Sequence, residues 1–270
     1  MQALNTVVSK TRSVVARTKK SATDDVWGAS DADDQIAEEV PVAMVYNGVS
    51  HVVMMATPDN LEEFAIGFTL TEGIATASSD IYGVDVVAAS SGYQVLVELS
   101  SERFAALKQR RRNLTGRTGC GLCGAESLQQ AIRVPPPVVS VLAPSAEVVD
   151  VALSQLVDFQ PLQRMTGAVH GAAWCSFDGN IQMAFEDVGR HNALDKLIGA
   201  LHRQPDFDRK GFVLVSSRAS YELVGKCASV GIATLVAVSA PTTMAIEHAE
   251  LAGMNLIGFA RSGRHVVYAS

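Results

Sequence analysis

The chain has only four cysteines among its 270 residues, too few for a disulfide framework, and this scarcity points to a reduced, cytoplasmic setting. No apolar run approaches the ~20 residues that span a bilayer, so a membrane protein is not expected. The first residues carry cations but no apolar stretch, which speaks against a secretory signal. A net charge of −6 gives no basis for general nucleic-acid binding. Charged residues make up only 19% and hydrophobic residues 48%, so wholesale disorder is excluded and a substantial core is expected. The length suits one main α/β domain with a smaller companion. No internal repeat or low-complexity tract interrupts it.

Charge is segregated at the start. Residues 1–23 hold five cations and no acid, and Asp24 to Glu39 hold seven acids and no cation. Blocks of this kind read as a solvated, disordered or extended arm over 1–39, with the option that the two blocks pair with each other or with a basic partner surface. Residues 40–134 read as a smaller β-rich subdomain. Asn47-Gly48 sits between two short strands, a strong hairpin signal. A helix follows, with Asp59 as its expected cap and Leu61, Phe64, Ala65 and Phe68 as its buried face. A second hairpin is expected around Ser90-Ser91-Gly92, then a short basic helix over 102–112. Pro135-Pro136-Pro137 cannot continue a helix and marks the expected join to an α/β domain over 135–270. There, a helix from Ser145 to Leu156 and a hairpin around Asp178-Gly179-Asn180 precede a helix from Gly189 to His202. The last sixty residues alternate strand, helix, strand, helix, strand, which implies parallel strands with right-handed crossovers.

The stretch Thr115 to Glu126 contains Cys120-Gly121-Leu122-Cys123, with Gly116, Gly119, Gly121 and Gly124 around the two thiols. The glycines disfavour a helix interior and make a loop the expected setting. From Arg103 to Ala125 there are six cations and no acid, and positive charge favours the nucleophilic thiolate. Cys175 and Cys227 lie in apolar contexts and read as inert buried thiols.

Two further groups of residues carry chemistry. Ligands of parallel sheets gather at the carboxyl ends of the strands. Three consecutive strand ends here carry polar loops: Ser216-Ser217-Arg218-Ala219-Ser220, Ser239 to Thr243, and Phe259-Ala260-Arg261-Ser262-Gly263-Arg264. Helix starts and arginines favour anions, phosphate above all, although Ser220 and Thr242 also read as ordinary helix caps. The other group is Glu186-Asp187-Val188-Gly189-Arg190-His191, continuing to Asp195 and Lys196. Asp187 is placed to cap the helix, and His191 and Asp195, four apart, share a face on which the carboxylate orients the imidazole. This group reads as a site for guanine or phosphate recognition or for proton transfer, or as a surface pair. His170 opens an apolar strand and reads as a hydrogen-bonded structural residue.

Cys-x-x-Cys alone leaves several chemistries open. A structural zinc site needs a second ligand pair, and none is present, so no metal is expected. A thioredoxin-type redox pair belongs at a strand-to-helix junction. Covalent sulfur transfer needs an exposed, low-pKa thiol and often a second one to assist or resolve. The bland alternative is two incidental thiols. A zinc deaminase needs His-x-Glu ahead of Pro-Cys-x-x-Cys. His248-Ala249-Glu250 is the only His-x-Glu, it follows the cysteines, and no proline precedes Cys120, so deamination is not expected.

The segment Arg117 to Gly124 resembles the signature loop of the formate dehydrogenase accessory sulfurtransferases. The resemblance continues through His170 to Trp174, Glu186 to Gly199, Ser216 to Glu222, Ser239 to Thr242, and Gly258 to Arg261, in order over residues 40–270. It implies a cytidine-deaminase-like mixed sheet flanked by helices, and a cytoplasmic homodimer. It also implies an enzyme that takes persulfide sulfur from a cysteine desulfurase and passes it to the molybdenum bis-molybdopterin guanine dinucleotide cofactor for formate dehydrogenase. Cys120 matches the persulfide carrier, Cys123 its partner, and Phe259 to Arg264 the cofactor-binding segment, where a guanine nucleotide is also expected to fit. Ser217, Arg218 and Ser220 would hold phosphates, Arg190 and His191 would belong to the same cofactor site, and Glu186, Asp187 or Glu222 would accept from guanine. The alternative function is a non-catalytic chaperone for the same cofactor.

Overall fold

The computed structural model describes residues 7–19, 27–112, 134–204 and 210–270. The segment expected to be a loop, with Cys120 and Cys123, lies outside the described residues.

The N-terminal charge blocks pair with each other. Strand β1 (Ser9–Thr18) runs antiparallel to β2 (Gly28–Ala37), with Arg12 opposite Asp34 and Lys10 bonded to Glu38 at 2.8 Å. The pairing of the two blocks with each other is thus present, in an extended hairpin whose residues are mostly exposed. Complementary charge across the ladder favours the hairpin.

A four-stranded sheet follows, in the order β4-β3-β6-β5, from β3 (Val40–Tyr46), β4 (Val49–Ala56), β5 (Ile81–Ala89) and β6 (Gly92–Leu99). The β3–β4 turn is the predicted Asn47-Gly48, both residues at positive φ as a primed turn demands. Val42, Met44, Tyr46, Val95, Val97 and Leu99 alternate inward against helix α1 (Leu61–Thr71). Helix α2 (Ser101–Arg112) closes this part. The cap of α1 is not Asp59 but Asn60, in the left-handed conformation. Asp59 points instead at the Lys196 ammonium. The capping-box spacing was satisfied, but a buried cation outcompeted the helix end for the carboxylate.

The larger sheet has six strands in the order β12-β11-β10-β9-β7-β8. These are β7 (His170–Ser176), β8 (Ile181–Asp187), β9 (Gly211–Val215), β10 (Thr234–Ala237), β11 (Asn255–Arg261) and β12 (Arg264–Ala269). Strands β9, β10 and β11 are parallel, as the alternation predicts, and antiparallel strands flank them. The sheet is covered on both sides, so its central strands are apolar throughout. Phe212 and Leu214 face helix α3 (Ala146–Leu156), while Val213 and Val215 face the opposite layer. That layer is built from α5 (Arg190–His202), α6 (Tyr221–Ser229) and α7 (Thr243–Ala252). A one-and-a-half-turn helix, α4 (Pro161–Thr166), escaped the sequence reading although Pro161 at its first position is a start signal. Among the described residues no helix is long and apolar enough to cross a membrane.

The two sheets are joined where α1 crosses α5. A Cβ added at Gly67 would lie 1.8 Å from the Asp195 carbonyl oxygen, and one at Gly199 would lie 1.9 Å from that of Glu63. The helices touch backbone to backbone, which only glycine permits at both points. Gly199→Ala should therefore destabilise the protein by about 2–3 kcal/mol in urea unfolding, the upper range for overpacking. Gly225→Ala, in α6 with nothing within 4 Å of the new Cβ, should be neutral or slightly stabilising and serves as the control.

Candidate functional site

Because β9, β10 and β11 are parallel, their carboxyl ends share one edge, and backbone bonds lace the three polar segments together. Ser239 N donates to Ser217 O at 3.4 Å, Thr242 N to Ala219 O at 3.1 Å, and Phe259 N to Ser239 O at 3.1 Å. The antiparallel β7 brings His170 and Gly171 to the same edge, where Gly171 N donates to Ser216 Oγ at 2.9 Å. The third segment is not a loop throughout. Strand β11 runs to Arg261, and Ser262-Gly263 is the tight turn into β12. Phe259 sits at φ 49, one of three non-glycine residues at positive φ among those described. Such a conformation is costly unless its surroundings enforce it, and it concentrates at functional sites.

On α5 the expected His191–Asp195 pair does not form. The two side chains do share a face, but α6 packs beside it and supplies a different partner to each. His191 and Glu222 share a hydrogen bond, Nε2 to Oε2, at 2.9 Å. Asp195 accepts from the Lys226 ammonium at 2.8 Å and from the Thr71 hydroxyl at 2.8 Å. Both pairings skip 31 residues, so positions 191 and 195 of one helix meet 222 and 226 of the next, rung on rung. The upper rung lies at the open edge. Arg190 Nη2 is 3.9 Å from the same Glu222 oxygen, and Ser220 Oγ donates to it at 3.3 Å instead of capping α6. Thr242, by contrast, is an ordinary cap whose hydroxyl accepts from Ala245 N. The His191 bond holds the Glu222 carboxyl below the usual glutamate value, with help from Ser220 and Arg190. The lower rung is buried. Burial alone would push the Lys226 ammonium down, but Asp195 and Glu72 more than offset it, so it stays charged.

Glu186 and Asp187 are engaged within the fold. Glu186 accepts from the first backbone N–H groups of α4, Leu162 at 2.8 Å and Gln163 at 2.7 Å. Asp187 does not cap α5. It pairs with Lys196 at 2.8 Å and accepts from Thr57 N, Gly189 N and Asn192 Nδ2. Both carboxylates are buried. The edge itself is cationic: Arg218 is exposed, Arg190 and His191 are partly so, and His170 lies close enough to feel all three. Burial first, then Arg190, Arg218 and His191, lower the His170 pKa. Among the described residues, no side-chain hydrogen bond of His170 is found. Cys175 and Cys227 are buried as predicted, and burial pushes both thiols up to about 12.

Below Ala260, Arg261 and Ser262, the edge opens into a cavity of about 580 Å³ walled by α3, by Gln160 and by the start of α4. No signal in the sequence pointed to Asp150, which accepts from Gly263 N and ties α3 to the turn, or to Gln160. Among the described residues, no cluster of three or more His, Cys, Asp or Glu side chains is placed to hold a metal.

Comparison with known proteins gives one consistent result. The sequence model of the FdhD/NarQ family matches residues 37–270. The chain is 55% identical over 236 residues to the sulfur carrier protein FdhD of Cupriavidus necator, covering 87% of this chain and 82% of that protein. A crystal structure of a protein assigned as a formate dehydrogenase accessory protein from Desulfotalea psychrophila superposes with a TM-score of 0.73 at 22% identity, over 98% of each chain. That likeness establishes the fold.

The depressed His170 pKa is directly measurable. In an NMR titration its midpoint should fall below 6.5, and Arg218→Gln should move it partway back up. The linkage sign follows. Below pH 6.5 the unfolded chain takes up this proton before the folded one, so stability is lost as pH falls through that range.

Proposed function

The chain belongs to the FdhD/NarQ family, and we propose that it is a sulfur carrier for formate dehydrogenase, acting as a sulfurtransferase through a cysteine persulfide. The observation that carries this is the extent of the family match. It runs over 37–270 and so includes Cys120, Cys123 and every residue of the cationic edge. In this reading the Cys120 thiolate attacks the terminal sulfur of a persulfide on a cysteine desulfurase. A new S–S bond forms on Cys120, the donor's S–S bond breaks, and the donor cysteine leaves as a thiolate. Six cations between Arg103 and Ala125, with no acid, favour the thiolate that the attack needs. Cys123 is its partner in this reading.

The acceptor in this proposal is the molybdenum bis-molybdopterin guanine dinucleotide cofactor, held as substrate at the carboxyl edge of the large sheet. Its phosphates fit Arg190, His191, Arg218, Ser217 and Ser220, where the edge carries cations and backbone N–H groups. Phe259 to Arg264 forms the adjoining wall. Glu186 and Asp187 are left out of the guanine contact, since their oxygens serve α4, Lys196 and neighbouring backbone. Glu222 is the carboxylate at the open edge. A cytoplasmic homodimer delivering the cofactor to formate dehydrogenase completes the proposal.

Intact mass spectrometry tests it. After incubation with an active cysteine desulfurase and cysteine, the protein should gain the mass of one sulfur atom, removable by a thiol reductant. Cys120→Ala should abolish the gain and Cys123→Ala should not. If the wild-type chain gains no sulfur, persulfide transfer is wrong. If Cys120→Ala still activates formate dehydrogenase, the protein is a cofactor chaperone.

A further inference from the structure

The tip of the β11–β12 hairpin is held in place from outside. Arg261 stands opposite Arg264, and Ser262-Gly263 is the two-residue turn between them. Three features weigh against this shape. Of the two turn residues only Gly263 has positive φ, at 72, which is the sign pattern of a type II turn, and type II twist splays the strands of a two-residue hairpin. Two cations face each other across the closing pair, and like charges so placed destabilise a ladder. The register also shifts between Gly258 and Arg261, where Phe259 has its positive φ. Packing offers no compensation at the tip, because a Cβ added at Gly263 would meet nothing within 4 Å.

What ties the tip down is a carboxylate 113 residues away in the chain. Gly263 N donates to both oxygens of Asp150, at 3.1 and 3.3 Å. That N–H is the donor a β-turn leaves unused, since the turn's own bond joins its first and last residues. Asp150 stands on a fixed base. It belongs to α3, whose Val149, Ala152 and Leu156 are buried against the large sheet. Asp150, Arg261 and Ser262 line the same cavity. A firmly packed helix thus reaches an unpacked turn through one side chain, and the two exposed arginines take their place from that contact.

We propose that Asp150 is a positioning residue for anion capture. By holding the Gly263 N–H it keeps Arg261 and Arg264 side by side, as a two-cation clamp for phosphate oxygens at the mouth of the cavity. A carboxylate is an unfavourable neighbour for an anion, so its presence there is explained by the turn it holds and not by the ligand. The inference rests on the cofactor reading above and deepens it, giving the wall formed by Phe259 to Arg264 a phosphate-holding role.

Two measurements test it, and they can fail separately. Hydrogen exchange followed by NMR on the ligand-free full chain should show the Gly263 amide protected in the wild type and in Asp150→Asn, which keeps an acceptor. In Asp150→Ala the same amide should exchange about tenfold faster. Calorimetric titration with GDP should then find Asp150→Ala weaker by about three- to tenfold. Asp150→Asn should bind as tightly as the wild type or more so, because it removes a negative charge and retains the tie. A side chain with only an electrostatic effect gives a different pattern: both variants lose the same charge, and both bind more tightly. Thermal melts establish that each variant is folded, and the wild-type amide is informative even where a variant is not. Tighter binding by both variants, or a wild-type Gly263 amide that exchanges as fast as one in an unstructured peptide, overturns the positioning role and leaves the cofactor reading standing. If the wild type binds no GDP, the cofactor reading falls and takes the anion clamp with it.

Discussion

Everything at the edge of the large sheet depends on how closely α1 and α5 approach. Gly67 and Gly199 allow the two backbones to touch, and the contact seats the small sheet against the large one. It also brings acceptors from the N-terminal half within reach of two lysines in the C-terminal half. Lys196 reaches Asp59, Asp187 and the carbonyls of Thr57 and Glu186. Lys226 reaches Asp195, Glu72 and the Thr71 hydroxyl. Both side chains are buried, so each ammonium needs those acceptors. A side chain on either glycine would part the helices and leave both cations short of partners.

Such buried pairs are weak sources of net stability, since apolar residues of similar size often do as well. What they supply here is direction. Leucine packs almost as well after a small slide, whereas an ammonium with fixed acceptors does not. Lys226 fixes α6 against α5 one turn below the rung where His191 meets Glu222. Lys196 and Asp187 fix the entry into α5, immediately before Arg190. Exposed groups that would hold an anion in the proposed site are thereby backed by buried groups that tolerate only one geometry. Removing a single partner leaves a buried charge uncompensated, which couples the core to the edge energetically as well as spatially.

This arrangement explains what could be read in the sequence and what could not. The Asn47-Gly48 turn, the apolar face of α5 through Leu194, Leu197, Ile198 and Leu201, and the parallel order of β9 to β11 depend on local periodicity, and all are present as expected. Partner choice depends on tertiary packing. The spacing of His191 and Asp195 correctly placed them on one face but could not say that α6 would lie along it. Asp59 and Asp187 had the spacing of helix caps, yet each lost that role to Lys196. A cap bond to a partly solvated N–H is a small gain beside the penalty of an unpaired buried ammonium, so the cation prevails wherever it can reach.

The same burial that organises the edge also sorts the thiols. Four cysteines are available to any persulfide donor, and misdirected sulfur on a core thiol would be useless to an acceptor outside. Cys175 sits in the central sheet against α3, and Cys227 in α6 beside the Asp195–Lys226 pair, with both thiols pushed up to about 12. Near neutral pH such a thiol is ionised in only about one molecule in 10⁵, against a few per cent for an ordinary cysteine. Attack on a sulfane sulfur needs the thiolate and needs access, and the core denies both. For Cys227 the negative charge of Asp195 adds to burial in suppressing ionisation, so the ion pair that sets the register of α6 also helps keep its cysteine inert. In the proposed transfer, chemoselectivity follows from the fold for these two thiols: buried in the sheet and in α6, they are silent, which leaves Cys120 and Cys123 as the proposed pair.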